Sequence, residues 1–304
     1  MKQYLGFGKR FFLLVTPLIA TSTLFASPSQ AATFALSEGN LNFTDINGEL
    51  SIFRPSNNAN TLALANGGTI FTENRNVQNE LIASPLKISS SASSVVFGES
   101  KDYLGTAETE GRIVSNFDVD AGKPFSFNFN AGLNQVTAID DPTIENAKAS
   151  GDVSFFLLDT TDIATDNLDS FIESELISNT NSNLLKNPLD FFSLTSVLNT
   201  RGNDDFVIKQ FSKNIKLFQQ DSQFQYGGNQ EFARTLIGGF LERVFDKKAN
   251  LTLLAVRRTQ TRVTAPEPST SLALLLFSVL IAIATKSKRQ TETSISLSSI
   301  KAWK

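Results

Sequence analysis

In the stretch GKPFSFNFNAG, Phe125, Phe127 and Phe129 alternate with Ser126 and Asn128. An extended chain puts all three rings on one face and the polar atoms on the other, whereas a helix would scatter them around its axis. The segment therefore predicts a half-buried strand, and the same period of two runs through much of the chain. GRIVSNFDVDAG (111–122) reads as a strand entering a turn at Asp120, Ala121 and Gly122, and GDVSFFLLDT (151–160) as a central strand apolar on both faces. Turn signals recur at Asn47-Gly48, Asn66-Gly67-Gly68, Gly132-Leu133-Asn134 and Gly227-Gly228-Asn229. Short alternating runs punctuated in this way predict an all-β fold, an antiparallel β-sandwich of jelly-roll-like type over residues 32–264.

Two further segments qualify that picture. FARTLIGGFLERVF (232–245) and ANLTLLAVRRTQTRV (249–263) flank Asp246-Lys247-Lys248, a loop of common hairpin length, and are expected to pair with each other. TDNLDSFIESELIS (165–178) has a helical period, with Leu168, Phe171, Ile172 and Leu176 on one face and Asp166 placed to cap. One short helical insertion is expected there, within a polar stretch that reaches about Asn203.

The chain has no cysteine and no histidine. Disulfides, thiolate metal sites, Ser-His-Asp and Cys-His catalysis and histidine-bound zinc are therefore excluded, and the fold must stand on its apolar core. What remains for an enzyme is Ser-Lys or paired-carboxylate chemistry, such as a glycosidase uses. Aromatic platforms for sugars are scarce: the single Trp is Trp303, near the end of the chain, and Tyr103 and Tyr226 are the tyrosines of residues 32–264. The 26 phenylalanines fall mainly in strand patterns, where a core uses them. A non-enzymatic protein is the expectation, with a carbohydrate-active hydrolase using paired carboxylates as the alternative.

Charge divides the chain. Residues 32–199 carry 22 Asp and Glu against 8 Lys and Arg, net −14, while residues 200–265 carry 6 against 11, net +5. An acidic surface repels nucleic acid and favours divalent cations. The densest group of hard oxygens is Asp159, Asp162, Asp166 and Asp169, a candidate calcium site whose spacing does not follow the EF-hand loop; Asp140, Asp141 and Glu145 form a second acidic loop. No other cofactor is implied. No glycine-rich phosphate loop or basic stripe with interleaved aromatics is present, so no nucleic-acid partner is expected.

The two ends read as targeting segments. Lys2, Lys9 and Arg10 precede an apolar run from Phe11 to Ala26, and Ser29-Gln30-Ala31 supplies small residues for a signal peptidase, so residues 1–31 are expected to be a signal peptide cut between Ala31 and Ala32. Near the other end, APEPSTSLALLLFSVLIAIATKSKR (265–289) places Pro266-Glu267-Pro268 before a short apolar span, 269–285, and the cluster Lys286, Lys288 and Arg289 after it. A transmembrane helix is expected, the basic cluster holding its C-terminal end and the 290–304 tail in the cytoplasm. Each proline disfavours helix at the residue before it, so Ala265 and Glu267 are pushed towards extended backbone at the membrane surface.

Residues 265–289 resemble the PEP-CTERM sorting signal of Gram-negative bacteria, cyanobacteria included, in the order of triplet, apolar helix and basic cluster. The tail TETSISLSSIKAWK departs from that pattern by its length. The resemblance implies recognition by an exosortase-like membrane protease that cuts near the triplet, with exopolysaccharide as an associated partner. The expected product is an exported structural or adhesive protein: an inner-membrane precursor, then a cell-surface, secreted or matrix-associated form.

Overall fold

The computed structural model describes residues 32–100, 102–177 and 188–265. Residues 1–31, including Ala31, lie outside them, as do Pro266, Glu267, Pro268, the 269–285 span, Lys286, Lys288, Arg289 and the 290–304 tail. Among the described residues no helix is long and apolar enough to cross a membrane.

The described chain forms twelve strands: β1 (Ala32–Asn47), β2 (Glu49–Ala65), β3 (Thr69–Ala83), β4 (Leu86–Glu99), β5 (Tyr103–Val119), β6 (Pro124–Ala138), β7 (Asn146–Asp159), β8 (Asp190–Asn199), β9 (Phe206–Phe211), β10 (Ile215–Gln225), β11 (Gln230–Val244) and β12 (Ala249–Ala265). One helix, α1 (Leu168–Ile177), follows a 3-10 turn at Thr165–Asn167. The strands make two six-stranded sheets, β10-β11-β6-β1-β4-β3 and β2-β5-β12-β7-β8-β9. Every pairing is antiparallel. The first is called sheet A and the second sheet B.

The expected alternation holds where the sheets face each other. Phe125, Phe127 and Phe129 are fully buried. They meet Phe43 of β1 and, from sheet B, Phe155 and Phe192. The Phe155 ring lies 5.5 Å from Phe43, 5.4 Å from Phe127 and 4.9 Å from Phe129, each edge to face. Such contacts add to the burial energy because the positive ring edge meets a negative face. Leu41, Ile113, Leu194, Leu241 and Leu253 complete this apolar zone. At the opposite end of the sandwich a smaller one gathers Ala35, Val96, Tyr103, Ala107, Ala147, Val263 and Ala265.

The polar zone between them is hydrogen-bonded from sheet to sheet. Ser94 meets Thr259 at 2.8 Å, Ser37 donates to the carbonyl of Ser150 at 2.7 Å, and Gln135 donates to that of Ser196 at 3.0 Å, while within sheet B Thr259 meets Thr109 at 2.6 Å. Buried hydroxyls and amides are tolerated where they find such partners.

Three local expectations are corrected. β11 and β12 do not pair: β11 lies between β10 and β6 in sheet A, β12 between β5 and β7 in sheet B, and Asp246-Lys247-Lys248 carries the chain from one sheet to the other. A short polar loop serves a hairpin and an inter-sheet corner equally well, and here the inner faces of both strands are apolar and meet across the core. Gly132-Leu133-Asn134 is not a turn but the middle of β6, where a Cβ on Gly132 would stand 2.8 Å from the Asn40 amide of the next strand. The helix exists, but its lead-in turn opens at Ala164 with no side-chain cap, and Asp166 sits within the turn instead.

Candidate binding groove on the outer face of sheet B

The outer face of sheet B changes character along its strands. At one end Phe156, Leu158, Leu254 and Val256 point outwards, and α1 covers them with Leu168 and Ile172. GDVSFFLLDT is therefore apolar on both sides because it has a core on both sides. Two ion pairs fix the helix to the sheet, Arg54 to Asp169 and Arg112 to Glu173, both at 2.7 Å.

Past the helix the outward residues turn polar. Register places Thr195, Asp152, Arg258, Glu110 and Asn58 side by side across five strands, with Ser150, Gln260, Glu108 and Asn60 in the next outward row. Together they line an open groove of about 310 Å³. No aromatic residue lines it.

Two carboxyl groups in this row sit in opposed environments. The Asp152 carboxyl is nine-tenths buried, and burial pushes it above the usual carboxylate range. Thr195 at 2.7 Å and Ser154 at 2.9 Å donate to it and offset part of that push. Burial also pushes Glu110 up, but Arg258 and Arg112 outweigh it and hold Glu110 below the usual range. Arg258 donates to Glu110 at 2.8 Å, and Arg112 donates to its other oxygen. One strand, β12, separates Asp152 from Glu110, and the two inter-strand spacings put their backbones about 10 Å apart. The row thus offers a carboxyl that resists ionisation, a fixed guanidinium and a firmly ionised carboxylate, surrounded by amides and hydroxyls that donate and accept hydrogen bonds.

The acidic residues singled out in the sequence lie elsewhere. Asp159 ends β7 and accepts from the backbone N–H of Thr161 at 3.0 Å and its hydroxyl at 2.6 Å, closing a turn. Asp169 is paired with Arg54. Asp162 and Asp166 are exposed on the segment between them. Among the described residues no group of three or more His, Cys, Asp or Glu is placed to hold a metal ion. In the second acidic loop, Glu145 is fully buried and accepts from the backbone N–H groups of Asp140 and Asp141 at 2.7 and 2.9 Å, holding the loop's shape. The backbone N–H of Ala32 donates to Asp140 at 3.0 Å.

Asp152, Glu110 and Arg258 did not stand out in the sequence. One signal was available: Arg257 and Arg258 are consecutive in a strand, so one of them must face the interior. The chain matches no protein-family model, no curated protein and no solved structure.

Proposed function

We propose that this chain is an exported surface protein, structural or adhesive in role, whose β-sandwich displays the sheet B groove to a hydroxyl-rich polymer such as an exopolysaccharide. The observation that carries the reading is the groove itself: shallow, open, without aromatic rings and lined by side chains that exchange hydrogen bonds with hydroxyl groups. A filled phenylalanine core in the neighbouring part of the sandwich suits a scaffold. The strand order supports a jelly roll: β4-β1-β6-β11 against β5-β12-β7-β8 is the eight-strand arrangement with its last strand moved to the front. β2 and β3 extend one edge of both sheets, and β9 and β10 the other. Export rests on the signal-peptide pattern of residues 1–31, and sorting on the resemblance of residues 265–289 to a PEP-CTERM signal.

Two experiments test this reading. Binding to polysaccharides from the producing cell surface is expected for the wild type and is expected to weaken at least tenfold in Glu110→Gln and in Arg258→Gln; unchanged binding in both removes the groove from the function. Replacing Pro266, Glu267 and Pro268 by alanine is expected to leave the protein in the membrane fraction, and unchanged release argues for a plain anchor or another route.

The opposed environments of Asp152 and Glu110 favour one second reading, a hydrolase using paired carboxylates, since separated acid and base roles arise in this way. Release of reducing ends from a soluble glycan, lost in Asp152→Asn and in Glu110→Gln, would establish it. Binding without turnover would leave the adhesive reading in place.

A further inference from the structure

Deep between the sheets lies a cation with no anion beside it among the described residues. Arg257, on β12, is 1% exposed. Its Nη1 donates to the Ser90 hydroxyl, while Nε and Nη2 have no hydrogen-bond partner among the described residues. Burial pulls the guanidinium down to about 10, with no carboxylate acting on it, so it remains charged at neutral pH. Buried charges are ordinarily paired, and a guanidinium left with two empty donors is a costly exception.

The position of the empty donors is informative. Nε–H and the neighbouring N–H of Nη2 form the side fork of a guanidinium, the edge that receives both oxygens of a carboxylate in parallel. The interior also makes room for this residue. A Cβ on Gly39 of the facing sheet would stand 3.1 Å from the Arg257 stem, and Gly111, its register neighbour on β5, adds no side chain beside it.

A chain of hydrogen-bonded side chains leads from Arg257 to the outside. In sheet B the row runs from Arg257 through Gly111 to Asn57 on edge strand β2, and in sheet A Ser90 pairs with Asn79 on edge strand β3. The Asn79 amide donates to Asn57 at 2.7 Å and its oxygen accepts from Ser90 at 2.6 Å. Immediately outside these two asparagines is an open cavity of about 530 Å³, bounded by Pro55, Ser56, Asn57, Gln78, Asn79 and Glu80. The cavity, the asparagine pair, Ser90 and the Arg257 guanidinium follow one another inwards.

We propose that Arg257 is the seat of a carboxylate ligand that enters between β2 and β3, passes the Asn57–Asn79 pair and binds side-on to Nε and Nη2. The site is separate from the sheet B groove, since Arg257 faces inwards and Arg258 outwards. The carboxylate belongs either to a small free anion or to a larger polar molecule whose body stays in the outer cavity.

The test uses the full-length chain in non-ionic detergent, followed by scanning calorimetry. Sodium formate and sodium glucuronate are titrated against sodium chloride at matched ionic strength, which removes diffuse screening. The expected result is a saturable rise in Tm of several degrees beyond chloride. A response to formate indicates a free anion, and one to glucuronate alone indicates a carboxylate carried on a larger body. Arg257→Lys keeps the charge and loses the fork, so it is expected to lose the carboxylate-specific rise. Should that variant fail to fold, broadening of the 13C-formate or glucuronate carboxyl resonance by wild-type protein, reduced or abolished in Ser90→Gln, gives a second readout. No rise beyond chloride in the wild type, or an equal rise in Arg257→Lys, overturns the proposal.

Discussion

The two halves of the sandwich interior solve the same packing problem differently. In one half, six phenylalanines from both sheets fill the space with ring edges against ring faces. In the other, ahead of the small apolar cluster at its far end, Ser94, Thr109, Thr259, Gln135 and Arg257 occupy inward positions and hold the sheets by hydrogen bonds. Apolar packing is non-directional and supplies most of the stability, whereas a buried polar network adds little net energy but tolerates only one register. The aromatic half is therefore where this fold is strong, and the polar half is where it is specific and has donors left to engage something else.

The sharpest way to break that contrast is Phe155→Ala. Phe155 touches four other rings across the two sheets, so its removal is expected to cost about 4 kcal/mol, read as a lowered urea midpoint. A loss near 1 kcal/mol would mean that the aromatic half can collapse around the gap and is not the dominant core. Thr259→Val comes next. It deletes the hydroxyl shared by Ser94 and Thr109, leaving both to find other partners in a buried site, at an expected cost of about 2 kcal/mol. If this exceeds the Phe155 loss, the ranking of the two halves is reversed.

A smaller effect of opposite sign is expected at Asp152, on the outer face. Its raised pKa means that the folded protein holds this proton more tightly than the unfolded chain. Stability should then fall as pH rises from the ordinary carboxylate value, about 3.9, through the raised folded value. Asp152→Asn removes that dependence: it is expected to match wild type below the ordinary range and to exceed it in stability at neutral pH. A constant difference at all pH values would show that packing, not ionisation, separates the two.

Gly39→Ala probes the polar half from the opposite sheet. The new methyl would press on the Arg257 stem at 3.1 and 3.2 Å and on Val153 at 3.3 Å, for a loss of about 1 kcal/mol. Most of that loss should vanish in an Arg257→Ala background, because residues in contact couple and distant ones do not. The smallest effect concerns calcium. With Asp159 closing a turn and Asp169 bound to Arg54, millimolar Ca²⁺ is expected to leave Tm where matched NaCl leaves it. An excess rise removed by Asp162→Ala with Asp166→Ala would show that the loop rearranges around an ion.

The period of two in Phe125, Phe127 and Phe129, the continuous run at 151–160, the turn glycines at 67, 122 and 227 and the helical face of Leu168 and Ile172 were all legible in the chain, because burial of one face and positive φ are local demands. Which strand pairs with which was not. β1 lies between β4 and β6, and β12 between β5 and β7, so most partners are remote in sequence and a hairpin-length loop at 246–248 conceals a change of sheet. The groove shares that origin: Asn58, Glu110, Arg258, Asp152 and Thr195 come from five strands and become neighbours only through register. The adjacent Arg257 and Arg258 show where the boundary falls. Alternation dictates from sequence alone that they point to opposite sides, but only the stacking of one sheet on the other decides that Arg257 is the one enclosed, since the inside of a sandwich is defined by two surfaces and a strand carries only one of them.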